Sequence, residues 1–365
     1  MKKRLIIYFN YHPNGQADAA CRFAVQQMAA VGQVFFVNNG PLQPESRQWA
    51  QGCCHTVLER ENIGFDVGAY RDAVLQTGLD MLLQYDEVVL MNYTLAGPVG
   101  DVAAMFAAMD GRPELDFWGL TRHYAMRSHR FGGAKAMVPE HIQSHFVVVR
   151  SRMMADFFAY WQAAALPASY EDSVRLHETQ FTAHFAALGY RWDTFVDTKD
   201  LASLFVNPIM ACPKLLLADR GCPFFKRRSF FTPYADELRR TDGQAAAELY
   251  DYLKSETDYP VDDLLRAPVQ KEEHASPNPA AAKTEKSRPS APTSEKQSRT
   301  AEGTAKSPEE RPSVREELRE VRESRQKKAA EPGISEPTPA KEPKKQPTTT
   351  HKQPSRKKPK KAKER

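Results

Sequence analysis

"ERENIGFDVGAYRDAV", residues 59–74, is the stretch on which the fold of this chain turns. Between Arg60 and Gly68 it places an arginine, an asparagine, two glycines and an aspartate, and then runs into a helical pattern. Glycine lets a backbone approach its neighbours closely and adopts positive φ at little cost. Asn and Asp offer short, directional hydrogen bonds, and the amino end of a helix favours negative charge. Arg60, Asn62, Gly64, Asp66 and Gly68 therefore read as a cradle for the sugar and base edges of a nucleotide ligand. The competing reading is a plain helix start, with Asp66 capping the amides from Gly68 to Tyr70.

Strand-length apolar runs alternate with helical patterns on either side. "RLIIYFNY" (4–11), "QVFFVNNG" (33–40) and "CHTVLERE" (54–61) precede the stretch as strands, separated by a helix over 18–32 and a short one over 45–53. A helix over 69–83, the strand "DEVVLMNYT" (86–94), a helix over 99–110 and the strand "FWGLT" (117–121) follow it. This alternation predicts an α/β domain with a mostly parallel central sheet flanked by helices and right-handed crossovers. Ligands of such sheets sit beyond the carboxyl ends of the strands. The polar clusters fall there: Asn10, Asn38–Asn39, the 60–68 stretch, then Asn92 and Thr94. Each alone is an ordinary turn, but four of them on one rim read as a site.

The second half begins with a polar segment, 121–141, carrying Arg122, Arg127, Arg130, Lys135 and three histidines around a Gly-Gly pair. Its length and polarity suggest a lid. "QSHFVVVRS" (143–151) reads as a strand beside the site, and "RMMADFFAYWQAA" (152–164) as a core helix. A further helix over 173–191 buries Phe181 and Phe185 and brings His177 and Glu178 toward the site. "CPFFKRR" (222–228) offers Lys226, Arg227 and Arg228 after an apolar anchor.

The chain changes character near residue 267. Residues 271–365 hold no Phe, Trp or Tyr, and 13 of the 26 prolines, so they cannot bury enough apolar surface to order themselves. Residues 1–266 are read as one domain and 267–365 as a disordered basic tail. The tail carries 25 Lys and Arg against 15 Glu, whereas the rest has 26 basic and 31 acidic residues. Such an arm suits an anionic membrane surface, an acidic partner or plain solubilisation. Without interleaved aromatics it gives no support to specific nucleic-acid stacking. The first apolar run is too short for a secretory signal, and no run approaches the roughly 20 residues of a membrane span. Five cysteines without a CxxC fit free thiols in a reducing cytoplasm better than zinc. A dinucleotide-binding GxGxxG is absent after the first strand.

"RENIGFDVGAYRDAV" (60–74) resembles the Arg-Glu-Asn-x-Gly-x-Asp-x-Gly-Ala-Tyr signature of the rhamnan synthesis protein F family. Those are glycosyltransferase-like proteins encoded with bacterial rhamnose-polysaccharide and lipopolysaccharide genes. "VVLMNYTLAGPVG", "DFWGLT", "QSHFVVVRS", "HETQFTAHFAALGYR" and "CPFFKRRSFF" continue the likeness in the family's order. "ENIGFDVG" is also similar to the Glu-Asn-x-Gly-Phe-x-x-Gly segment of many inverting rhamnosyltransferases. The resemblance implies a GT-A-like fold that transfers a deoxyhexose, typically rhamnose from dTDP-rhamnose, to a glycan or lipid-linked acceptor. The acceptor would lie at the inner face of a bacterial membrane, where the basic tail would meet anionic lipid.

One departure bears on Mg2+ or Mn2+ as a cofactor. The family usually reads Asn-Asp-Ser at the end of the fourth strand, and in GT-A enzymes an Asp there commonly holds the cation. This chain has Asn92-Tyr93-Thr94, and a tyrosine is no hard-metal ligand in the manner of a carboxylate. Three readings stay open: Asp66 or another acid holds the metal; Arg122, Lys226, Arg227 and Arg228 neutralise the diphosphate; or catalysis is lost and the chain is a nucleotide-sugar- or glycan-binding scaffold. For the base that takes the acceptor's proton, Glu178 comes first and Asp172 second. The alternative for Glu178 is a solvated helix charge.

Overall fold

The computed structural model describes residues 2–132, 135–204, 207–231 and 244–266. The tail, with its expected disorder and lipid contact, lies outside the described residues. Seven strands form the central sheet: β1 Arg4–Tyr11, β2 Gln33–Asn39, β3 Thr56–Arg60, β4 Glu87–Asn92, β5 Phe117–Gly119, β6 Phe146–Arg150 and β7 Trp192–Thr194. Their order is β7-β5-β6-β4-β1-β2-β3. β1 runs parallel to β2 and β4, β2 to β3, and β7 to β5, while β6 is antiparallel to both β4 and β5. The sheet is therefore mostly parallel, as expected. β7 was not foreseen, because three residues are too few for a readable pattern.

The helices around the sheet are α1 Ala19–Ala29, α2 Pro44–Cys53, α3 Phe65–Thr77, α4 Val102–Asp110, α5 Met154–Ala163 and α6 Thr179–Ala187. Strand residues alternate between two cores, one on each face of the sheet. Ile6, Tyr8, Val89, Met91, Phe146 and Val148 pack with Ala24, Met28, Ala50, Phe106 and Met109 on the side of α1, α2 and α4. Leu5, Ile7, Phe9, Val88, Leu90, Val147 and Val149 pack with Tyr70, Val74, Phe157, Trp161, Phe181 and Phe185 on the side of α3, α5 and α6. The uninterrupted apolar runs of β1 and β4 are what two buried faces require.

Three local expectations are corrected. The helix expected over 69–83 already begins at Phe65, because Gly64 (φ 76°) and Phe65 (φ 54°) both turn left-handed and swing the chain into it. It closes at Thr77, and a separate turn, Leu79–Leu82, follows Gly78. The segment 121–141 is an antiparallel arm rather than an open loop: Arg122–His123 pairs with His141–Ile142, and Met126–Arg127 with Met137–Val138. The helix expected over 173–191 is composite, with a short helix Tyr170–Ser173, a π-helical turn Val174–Glu178 and then α6.

Candidate functional site

A cavity of about 180 Å3 opens at the carboxyl ends of β1 and β4, on the α3, α5 and α6 face. Phe9, Tyr70, Trp161 and Phe181 form its apolar wall. Asn62, Asp66, Asn92, Thr94, Ser144, Glu178 and Lys226 supply its polar groups. Three chain segments deliver its carboxylate wall. The left-handed turn at Gly64–Phe65 sets Asp66 in the first turn of α3, with Tyr70 one turn on. β6 runs against its neighbours, so its amino-terminal flank, with Ser144 and His145, meets the carboxyl rim of β4. The π turn presents Glu178, and such turns often occur at functional positions.

Asp66 and Glu178 face each other across Ser144. The Ser144 amide and hydroxyl both donate to Glu178 Oε2, at 3.0 and 2.5 Å, and Ser144 Oγ lies 3.3 Å from Asp66 Oδ2. His141 Nε2 stands 3.9 Å from Glu178 Oε1, while its Nδ1–H donates to the Pro139 carbonyl at 2.7 Å. Burial tends to raise both carboxyls. At Asp66 it prevails, with the Glu178 charge adding to it, and pushes the pKa up to about 6. At Glu178 the His141 ring and the two Ser144 donors outweigh it and hold the carboxyl well below its usual range.

The opposite wall is cationic. Lys226 Nζ donates to Thr94 Oγ1 at 2.9 Å, and Thr94 Oγ1 donates to Asn92 Oδ1 at 2.5 Å. Arg228 also lines the cavity and hydrogen-bonds Tyr170. Burial, with Lys226 nearby, holds the His145 imidazole well below its usual range, so it stays neutral at pH 7. Tyr93, at the position in question for a metal, packs edge-on against Phe9 and Tyr11, with centroids 5.5 and 6.3 Å away. No group of three or more His, Cys, Asp or Glu side chains suited to a metal occurs among the described residues. An ammonium at the end of β4 and two carboxylates already accepting hydrogen bonds do not fit a divalent cation.

Of the residues singled out from sequence, Asn62, Asp66, Asn92, Thr94, His177, Glu178, Lys226 and Arg228 line the cavity, while Asn10, Arg60, Gly64, Gly68, Arg122, Asp172 and Arg227 do not. Asn10 is turned to Asn38, donating to its Oδ1 at 2.7 Å. Arg60 ties down the start of α3, donating to Asp72 Oδ2 at 2.5 Å and Asn39 Oδ1 at 2.7 Å. Gly68 makes room for it: a Cβ there would lie 2.3 Å from the Ile63 carbonyl oxygen and 2.8 Å from Arg60 Nη2. Gly64 supplies the left-handed turn. Arg122 is held by Glu140 and Asp193, Arg227 by Asp18, and Asp172 by Arg175. Ser144, His141, Tyr70 and Trp161 were not anticipated. Only the reversal of β6 brings Ser144 and His141 to the rim, and nothing local signals that reversal.

A family profile described as "Rhamnan synthesis protein F" matches residues 34–296. The uncharacterized protein y4gN of Sinorhizobium fredii is 23% identical over 210 residues, 56% of this chain and 51% of that protein, so the chain spans about half the length of this curated relative. Among solved structures, the chain is similar to mannosyltransferase PcManGT from Pyrobaculum calidifontis in complex with GDP-Man and Mn2+, at 12% identity over 72% of this chain and 78% of that one, with a TM-score of 0.34. It is also similar to glucosyl-3-phosphoglycerate synthase from Mycobacterium tuberculosis with Mn2+, UDP and phosphoglyceric acid, at 11% identity over 53% and 68%, with a TM-score of 0.33. Likenesses that loose say nothing of this chain's ligands. The family profile covers well over half the chain: the chain belongs to the rhamnan synthesis protein F family.

Proposed function

We propose that this chain is a glycosyltransferase that moves a deoxyhexose, rhamnose from dTDP-rhamnose, onto a precursor of a cell-surface polysaccharide or lipopolysaccharide. The observation that carries the reading is a cavity at the strand ends with two carboxylates on one wall and Lys226 and Arg228 on the other. Transfer from a nucleotide sugar needs that polarity: cations where the diphosphate departs, a carboxylate where the acceptor hydroxyl loses its proton. Lys226, backed by Thr94 and Asn92, takes the diphosphate side, and Asn62 the nucleoside side. The indole N–H of Trp161, in the apolar wall, is buried and has no acceptor among the described residues. Of the two bases read from sequence, Glu178 is within the cavity and Asp172 outside it.

Incubation of the full chain with labelled nucleotide sugars tests the reading. Release of nucleoside diphosphate from a deoxyhexose donor, slowed by Lys226→Met, is the expected result. Binding without turnover of any donor would make the chain a scaffold in polysaccharide assembly. Donor affinity unchanged in Asp66→Ala would remove Asp66 from the donor's surroundings.

A further inference from the structure

The two carboxylates of the cavity have one hydroxyl between them, and its proton can serve only one. Ser144 Oγ lies closer to Glu178 Oε2, at 2.5 Å, than to Asp66 Oδ2, at 3.3 Å, and the Ser144 amide donates to the same Glu178 oxygen. The hydroxyl proton therefore belongs to Glu178. Asp66 Oδ2 is left facing a hydroxyl lone pair, a contact that is favourable when Asp66 itself carries a proton and donates it. The site thus holds a ready place for one incoming proton, on Asp66.

On the glycosyltransferase reading above, we propose that Asp66 is the catalytic proton acceptor of the transfer, and that Glu178, fixed by Ser144 and His141, is a positioning residue. In the step, a lone pair of the acceptor oxygen forms the new bond to the anomeric carbon. The bond from that carbon to the diphosphate oxygen breaks, and its electron pair leaves with the nucleoside diphosphate. The acceptor's proton passes to Asp66 Oδ2, whose new O–H then donates to Ser144 Oγ. Glu178 stays ionised throughout, its Oε2 filled by Ser144 and its Oε1 turned to His141.

Groups from every neighbouring element bear on Asp66. Glu178 and burial favour its neutral form, while the Val67 amide at its Oδ1 and the Lys226 ammonium favour the charged one. The balance, about 6, matches a base that must work near neutral pH. Tyr70, Tyr170 and the neutral His145 complete the surroundings.

Two measurements on the full chain test this. In carboxyl-13C-labelled protein, one aspartate signal should titrate near pH 6, vanish in Asp66→Asn and move toward the ordinary range in Glu178→Gln. In the pH profile of transfer with dTDP-rhamnose, the acid limb should follow that same titration. Asp66→Asn should lose on the order of 100-fold or more in turnover, and Glu178→Gln should shift the limb to lower pH. Full turnover in Asp66→Asn, or no aspartate titrating above pH 5, overturns the proposal. Absence of turnover in the wild type, with Asp66 titrating near 6, removes the transfer reading and the catalytic role with it, while the proton-holding pair stands.

Discussion

Lys226 and Asp66 carry opposite charges into one cavity, and each makes a prediction of its own. Lys226 rests on Thr94, which rests on Asn92, so the ammonium is aimed along the end of β4 by two consecutive hydrogen bonds. A hydrogen bond to a charged group contributes about 1.5–3 kcal/mol, so Lys226→Met should weaken nucleoside diphosphate binding by roughly 10- to 100-fold by calorimetry. Asp66 acts on stability as well. Its native pKa, about 6, stands above the ordinary 3.8, so the folded state binds the proton more tightly than the unfolded one. The stability this contributes is complete below pH 3.8 and is lost as pH rises through 6. Asp66→Asn should therefore be more stable than the wild type at pH 8, by on the order of 1–3 kcal/mol in denaturant unfolding, with the gap closing toward pH 4.

At the scale of elements, the start of α3 explains why small and polar residues crowd the 60–68 stretch. They divide into two sets. Arg60, Gly64 and Gly68 build the turn, while Asn62 and Asp66 face the cavity. Gly68→Ala would push a Cβ into the Ile63 carbonyl oxygen at 2.3 Å, and backbone cannot yield there as a flexible side chain would. Its unfolding free energy should fall by roughly 1–3 kcal/mol, as overpacked sites do, and donor binding should weaken with it as Asp66 shifts. The residue types were legible as a group, but their division was not, because it depends on the φ of Phe65 and on Asn39 arriving from β2. Asn39 donates to Asn62 Oδ1 at 3.1 Å and accepts from Arg60, a pairing that only the register of β2 against β3 creates. The arm over 121–141 was read as a cationic lid for the same reason. Its Arg122 finds Asp193 on β7, an edge strand too short to read.

For the molecule as a whole, alternating apolar runs gave the sheet and its two helical layers, and the strand-end rule gave the rim on which the cavity opens. The reversed direction of β6 was not legible, since an apolar run reads alike in either direction, and that direction decides that Ser144 and His141 join the site. The same reversal places Arg150 at the far end of the sheet, where its Nε donates to the fully buried Glu87 at 3.1 Å. Arg4 reaches Glu87 at 2.7 Å from β1, and Arg150 also donates to the carbonyls of Met109, Arg112 and Leu115. Removing Glu87 would take a buried charge partner from both guanidinium groups at once, leaving Arg4 to Asp110 and Arg150 to its carbonyls. Glu87→Ala should cost about 3–5 kcal/mol in unfolding free energy, with the affinity for nucleoside diphosphate unchanged in the protein that remains folded.

The central claim is that an activated sugar is gripped at the carboxyl rim of the sheet with an ammonium in the place where a divalent cation would otherwise stand. Calorimetric titration of dTDP-rhamnose into the full chain, once in EDTA and once in Mn2+, tests it most directly. The account predicts the same affinity in both, lowered by Lys226→Met. Binding that requires Mn2+, or that is indifferent to Lys226→Met, would contradict it.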